Sequence, residues 1–175
     1  MKLAANSSRG YKLSYKKKTA TTDSYLPRGA SRKASVCEVC RAVYMNKRWY
    51  SDGNVCTAIA KEPDTMTVVC PACLKIRDDF PGGIVTLKGS YVLPHKQGLL
   101  NLIRNEEDRA RGTNPLERVM SIKENGYGSI VIFTTNERLA QRIGRAINKA
   151  FHGDITYRWS HENKLARVDW VKEGD

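Results

Sequence analysis

Apolar and polar positions follow a strand or helix period over most of this chain, and follow neither over its first 35 residues. A short β run at 84–87 is introduced by Pro81-Gly82-Gly83. After it, Leu93, Leu99, Leu100 and Ile103 recur on one helical face. Ser90 is the expected cap of that helix, Pro94 falls in its first turn, and Gly112 is its expected end. Residues 116–123 alternate as a strand, and Asn125-Gly126 predicts a tight turn into the β-branched run Ser129–Thr134. Thr134-x-x-Glu137 reads as a capping box opening a helix with Leu139, Ile143, Ala146, Ile147 and Ala150 on one side, closed near Gly153. A last hairpin crosses His161-Glu162-Asn163. Its apolar faces are Ile155, Tyr157 and Trp159 on one strand and Ala166, Val168 and Trp170 on the other. The order β-α-β-β-α-β-β predicts an α+β domain over 89–175, a two-layer antiparallel sheet with two helices on one face.

Upstream, residues 36–88 read as a separate small module, a zinc ribbon. Two cysteine-bearing turns, at 36–40 and 68–73, bracket a strand at 42–49 and a loop around Ser51-Asp52-Gly53. Cys37-x-x-Cys40 and Cys70-x-x-Cys73 carry the chemistry. Two residues between sulfurs let one tight turn aim both at the same ion, and two such turns complete a tetrahedron. The 29 residues between the pairs exceed ordinary finger spacing and suit a ribbon with an inserted loop. Four thiolates fill the coordination sphere and leave no position for water or substrate, so one structural Zn2+ is expected. Iron also suits an all-sulfur tetrahedron. Cys56, the odd cysteine, is expected to be a small half-buried hydrophobe. Paired C-x-x-C motifs with one cysteine left over argue against a disulfide scaffold and for a reducing, cytoplasmic setting.

Charge changes the picture next. The chain of 175 residues has a formal net charge of +12. Residues 1–35 hold nine Lys/Arg against the single acid Asp23, so two-thirds of the excess lies on one-fifth of the chain. Such asymmetry points to a polyanionic partner. The segment is rich in Ser, Thr, Lys and Gly, and is expected to be an extended basic arm without a core of its own. In it, Tyr11 and Tyr15 alternate with Arg9, Lys12, Lys16, Lys17 and Lys18, and Tyr25 precedes Arg28, Arg32 and Lys33. Rings that stack on unpaired bases beside cations that neutralise phosphates make an RNA-binding arm. A second cluster, Arg41, Lys47, Arg48 and Trp49, follows the first cysteine turn. A third, Arg138, Arg142, Arg145 and Lys149, forms one stripe along the second helix at steps of four, three and four. For both clusters a solvated surface, with Trp49 in the ribbon core, is the competing interpretation.

Other functions find less in the sequence. No apolar run is long enough for a membrane span, and no secretory signal or membrane anchor is expected. His95, His152 and His161 are scattered, and the acids at 106–108 read as a solvated helix face with Glu107 paired to Arg111. No Gly-rich phosphate loop is present, and Gly144 stands alone. The expectation is therefore no enzyme and no small-molecule substrate.

These motifs resemble those of a bacterial family of small zinc-ribbon proteins. The resemblance rests on Cys37-x-x-Cys40 with the Trp49 strand, C-P-A-C-x-K-I-R-D-D-F-P from Cys70, and L-N-L-I-R-N-E-E from Leu100. It continues through N-P-L-E-R from Asn114 and T-T-N-E-R-L-A-Q-R-I from Thr134, and covers residues 37–171. In layout these proteins are distantly similar to the Nmd-three adaptors of the large ribosomal subunit. The resemblance implies a ribosome-facing, RNA-contacting protein; such a non-catalytic factor would protect idle ribosomes, as in hibernation, or assist assembly, and the sequence does not choose between the two. The adaptors carry more cysteines and further domains, so their export and maturation roles do not transfer. A zinc-ribbon DNA-binding transcriptional regulator is the alternative expectation, although no helix-turn-helix pattern is present.

Overall fold

The structure is a computed structural model, and it describes Tyr25 and residues 33–51, 53–125, 128–160 and 165–174. The described residues form two mixed sheets and four helices, an α+β architecture. The first sheet has the order β3-β2-β1-β4, from β1 (Ser35–Cys37), β2 (Val43–Met45), β3 (Arg48–Tyr50) and β4 (Met66–Val68). The strand expected at 42–49 is a hairpin. Asn46 and Lys47 take left-handed φ of 51° and 64°, which turns the chain in two residues between the paired Met45 and Arg48. Helix α1 (Gly53–Ala60) occupies the expected loop, and helix α2 (Pro71–Arg77) grows out of the second cysteine turn with Pro71 in its first turn. β4 runs parallel to β1, pairing Cys37 with Val68, so each cysteine turn leaves the same end of the same strand pair.

The second sheet has the order β6-β7-β5-β9-β8. Its strands are β5 (Gly83–Lys88), β6 (Val119–Asn125), β7 (Ser129–Thr134), β8 (Asp154–Ser160) and β9 (Leu165–Val171). Helices α3 (Lys96–Thr113) and α4 (Glu137–Phe151) lie on one face. The expected order β-α-β-β-α-β-β is present, but the sheet is not purely antiparallel: β5 runs parallel to β9 and antiparallel to β7. β5, placed by sequence in the metal module, is the central strand of this second sheet, because Val85 and Leu87 are fully buried beneath the helices. Val85, Leu87, Ile130, Ile132, Val168 and Trp170 from the strands meet Leu99, Ile103, Leu139, Ile143 and Ile147 from the helices.

Four local expectations shift. Ser90 does not cap α3; its hydroxyl hydrogen-bonds Glu173 and accepts from the Gly174 N–H, and turns carry the chain to a helix start at Lys96. Pro94 disfavours helical backbone at Leu93, which is exposed rather than on the apolar face. The strand expected from 116 begins at Val119, because Asn114 Oδ1 accepts from the Leu116 N–H and Thr135 Oγ1 bonds both the Leu116 carbonyl and the Arg118 N–H. At α4 the cap is Asn136, accepting from the Leu139 N–H, while Thr134 ends β7.

Candidate metal centre and basic trough

The four sulfurs of Cys37, Cys40, Cys70 and Cys73 lie within 4.8 Å of one another. Cys37 and Cys73 Sγ are 3.9 Å apart, and Cys40 and Cys70 Sγ are 3.7 Å apart. A zinc–thiolate tetrahedron with Zn–S near 2.3 Å requires sulfur separations of about 3.8 Å, so these residues fit such an ion. The backbone supports anionic sulfur: the Cys70 N–H points at Cys37 Sγ at 3.3 Å, and the Cys73 N–H at Cys70 Sγ at 3.4 Å. In the first turn the Arg41 N–H closes on the Cys37 carbonyl, and Arg41 takes a left-handed φ of 63°. Cys37, Cys70 and Cys73 are buried among Ala42, Trp49 and Ala72. Four cysteines thus stand close enough to hold a metal ion, with a geometry compatible with zinc.

Titration in the metal-free protein follows the same geometry. The Cys70 thiol, hydrogen-bonded to Cys40, lowers the pKa of Cys40; the same bond raises that of Cys70. Burial pushes Cys73 up to about 11. One negative sulfur thus raises the cost of the next, a penalty that a cation held among the thiols would relieve.

One cation from the other sheet's domain reaches this centre. Arg118 Nη1 donates to Cys73 Sγ at 3.5 Å, and its Nε donates to the Pro115 carbonyl at 2.9 Å. Burial opposes the Arg118 charge, but the hydrogen bond and field of Cys40, with the fields of Cys73 and Cys70, hold the guanidinium firmly protonated. A divalent ion held by four thiolates would carry a net charge of −2, and Arg118 would face that excess. Leu116 packs on the cysteine cluster beside it. Further ties join the two halves: Lys75 Nζ reaches the Thr135 carbonyl at 3.4 Å, and Arg48 Nη2 the Thr113 carbonyl at 3.1 Å, at the C-terminal end of α3.

This junction brings two sequence clusters together. Tyr44, Lys47, Arg48, Trp49, Glu117 and Arg138 line a groove of about 520 Å³. Glu117 and Arg138 also line a second groove of about 540 Å³, continued by Gln141, Arg142, Arg145 and Lys149. The two make one trough that runs from the β2–β3 hairpin along the outer face of α4, with six cations on its walls. Two acids on its walls, Glu106 and Glu117, temper it. Glu106 accepts from Arg109 at 2.8 Å and Arg142 at 3.0 Å, so Arg142 is partly neutralised. Glu107, expected to pair with Arg111, instead accepts the Val119 N–H at 3.0 Å.

The predicted RNA-contacting residues thus divide. Lys47, Arg48, Arg138, Arg142, Arg145 and Lys149 share the trough. Arg41 is exposed at the cysteine turn. Trp49 is only 8% exposed and packs on Tyr44 with ring centroids 5.3 Å apart, so it serves the module's core. Lys33 is exposed near Asp64, at 3.8 Å. Arg9, Tyr11, Lys12, Tyr15, Lys16, Lys17, Lys18, Arg28 and Arg32 lie outside the described residues. Tyr25 sets its ring 5.4 Å from that of Phe80. Cys56 lies in α1, half-buried, with its thiol 3.7 Å from the Tyr50 carbonyl. Arg118 is the residue that sequence reasoning passed over as a site residue. Its only signal was a cation in an otherwise turn-like N-P-L-E-R run, 45 residues from its sulfur partner.

No helix among the described residues is long and apolar enough to cross a membrane. Compared with protein-family models, curated proteins and solved structures, the chain matches none.

Proposed function

We propose that this protein is a non-catalytic, cytoplasmic RNA-binding factor that carries one structural zinc ion and associates with the ribosome through rRNA. The observation that carries this reading is the trough, in which cations from the ribbon hairpin and from α4, about 90 residues apart in sequence, line one continuous surface. A run of cations along a groove is what phosphate tracking requires, and releasing counterions from the nucleic acid supplies the binding free energy. Zinc on the four cysteines holds the ribbon rigid, Arg118 and Leu116 join it to the loop before β6, and Arg48 ties it to the end of α3. The basic arm, residues 1–35, adds further phosphate contacts. On a ribosome, a factor of this kind protects an idle particle or assists assembly.

The test is sedimentation of cell lysate through sucrose gradients at low and raised salt. Co-migration with ribosomal particles that weakens as salt rises supports the proposal. A triple variant, Arg138→Glu, Arg145→Glu and Lys149→Glu, is expected to move the protein to the top of the gradient while leaving its fold intact by circular dichroism. Wild-type protein that stays at the top at low salt overturns the ribosomal reading.

A further inference from the structure

Resting on the RNA-binding proposal, a second surface feature says which form of RNA the protein takes. β8 leaves the C-terminal end of α4 through His152-Gly153 and returns along the helix. Ile155 and Tyr157 point to the helix side, since Ile155 Cδ1 and Tyr157 Oη both lie against Gly144. Strand alternation puts Trp159 on that same face, farther toward the N-terminal end of α4. There the indole finds little cover. Its cross-strand partner is Ala166, too small to mask it, and β8 is an edge strand with no neighbour beyond among the described residues. Trp159 is 53% exposed, stacked on Tyr157 with ring centroids 6.0 Å apart and planes 15° apart. The other two tryptophans behave differently: Trp170 is fully buried, and Trp49 nearly so.

An exposed indole braced by a parallel aromatic ring is a flat apolar platform already held in place. Tyr157 Oη lies 3.5 Å from where a Cβ on Gly144 would stand, and the next residue along α4 is Arg145 of the trough, so the aromatic pair abuts the helix that carries the cationic stripe. An aromatic face flanked by guanidinium groups matches a nucleotide whose base is unpaired, with the base on the ring and the phosphate on the stripe. A duplex offers phosphates to the stripe but keeps its base faces stacked inside.

We propose that Trp159, stacked on Tyr157 at the edge of the second sheet, is a base-stacking platform that selects single-stranded RNA over duplex along the α4 basic stripe.

The test uses the full chain with a 12-nucleotide single-stranded RNA and an RNA duplex of the same length, followed by anisotropy and by tryptophan fluorescence. Binding of the single strand should quench the emission of Trp159, the exposed indole. Trp159→Ala should weaken single-strand binding roughly 5- to 150-fold, abolish the quenching and leave duplex binding unchanged. Trp159→Phe should restore most of the single-strand affinity, which separates stacking from loss of fold. Arg145→Glu should weaken both ligands. If Trp159→Ala binds the single strand as wild type does, the platform is overturned while the RNA-binding proposal stands. Equal loss of both ligands overturns the platform too, as does quenching that scales with protein concentration alone, the mark of a second copy of the chain. If wild type binds neither RNA, the underlying RNA-binding proposal fails with it.

Discussion

Arg118 shows how much a single residue can couple. It bridges the cysteine centre and the loop before β6, and its guanidinium faces the net negative charge that a metal on four thiolates carries. Groups that hydrogen-bond a metal's ligands tune its affinity, and removing them typically costs about 10- to 100-fold in binding. Arg118→Ala is therefore expected to weaken zinc affinity by about that factor in a chelator competition assay, with Arg118→Lys intermediate because its charge remains without the planar fork. The cysteines make a second prediction. Cys70 and Cys73 are held protonated above the ordinary thiol range in the metal-free protein, by the Cys40 hydrogen bond and by burial. A metal that takes their sulfurs must expel those protons, so affinity rises with pH and falls on acidification. Calorimetric titration in two buffers of different ionisation enthalpy should report at least one proton released per metal bound near neutral pH. At this scale the grouping of the four cysteines could be read from their spacing, because C-x-x-C is a local geometric requirement. Arg118 could not, because its partner sulfur lies 45 residues back and its approach depends on how the two sheets meet.

Among the elements, α4 does most to place the surface chemistry. Its inner side, with Leu139, Ile143 and Ile147, is buried on the sheet, and its outer side carries the basic stripe. Gly144 permits the close approach: a Cβ there would meet Val168 Cγ1 at 2.6 Å and Ile155 Cδ1 at 3.2 Å. Gly144→Ala is expected to destabilise the protein by about 1–3 kcal/mol through overpacking, against a small gain in helix propensity, as measured by urea denaturation. The pattern of apolar positions identified α4, β7 and the final hairpin, with Ile155, Tyr157 and Trp159 on one apolar strand face and Ala166, Val168 and Trp170 on the other, residues that the register sets opposite one another. It misjudged ends. Thr134 and Asn136 both offer capping oxygens within three residues, and Thr134 goes to the sheet, where its hydroxyl bonds the Gly83 and Asn136 carbonyls. It also missed α1 and α2, eight and seven residues long, since a helical period needs more turns than these to show.

For the whole molecule, two cores meet at one junction. The metal module has a small buried cluster centred on its cysteines, whereas the five-stranded sheet has a large apolar core of its own. Removing the metal is accordingly expected to loosen the module and spare the sheet. On chelation at raised temperature, Trp49 emission should shift to the red and protease should cut within 36–77, while the far-ultraviolet signal of the sheet persists. A single transition that removes both signals together would mean that the two cores fold as one unit. The element order from β5 onward and the grouping of the four cysteines were determined by the sequence by itself, because hydrophobic period and cysteine spacing are properties of neighbouring residues. Tertiary structure alone decided that β5 sits at the centre of the second sheet, parallel to β9, that the β2–β3 hairpin and α4 share a trough, and that Trp159 is left uncovered. Each of those depends on which distant segments pack together. Alternation along a strand says which face is apolar; it carries no information about strand direction, neighbour or edge.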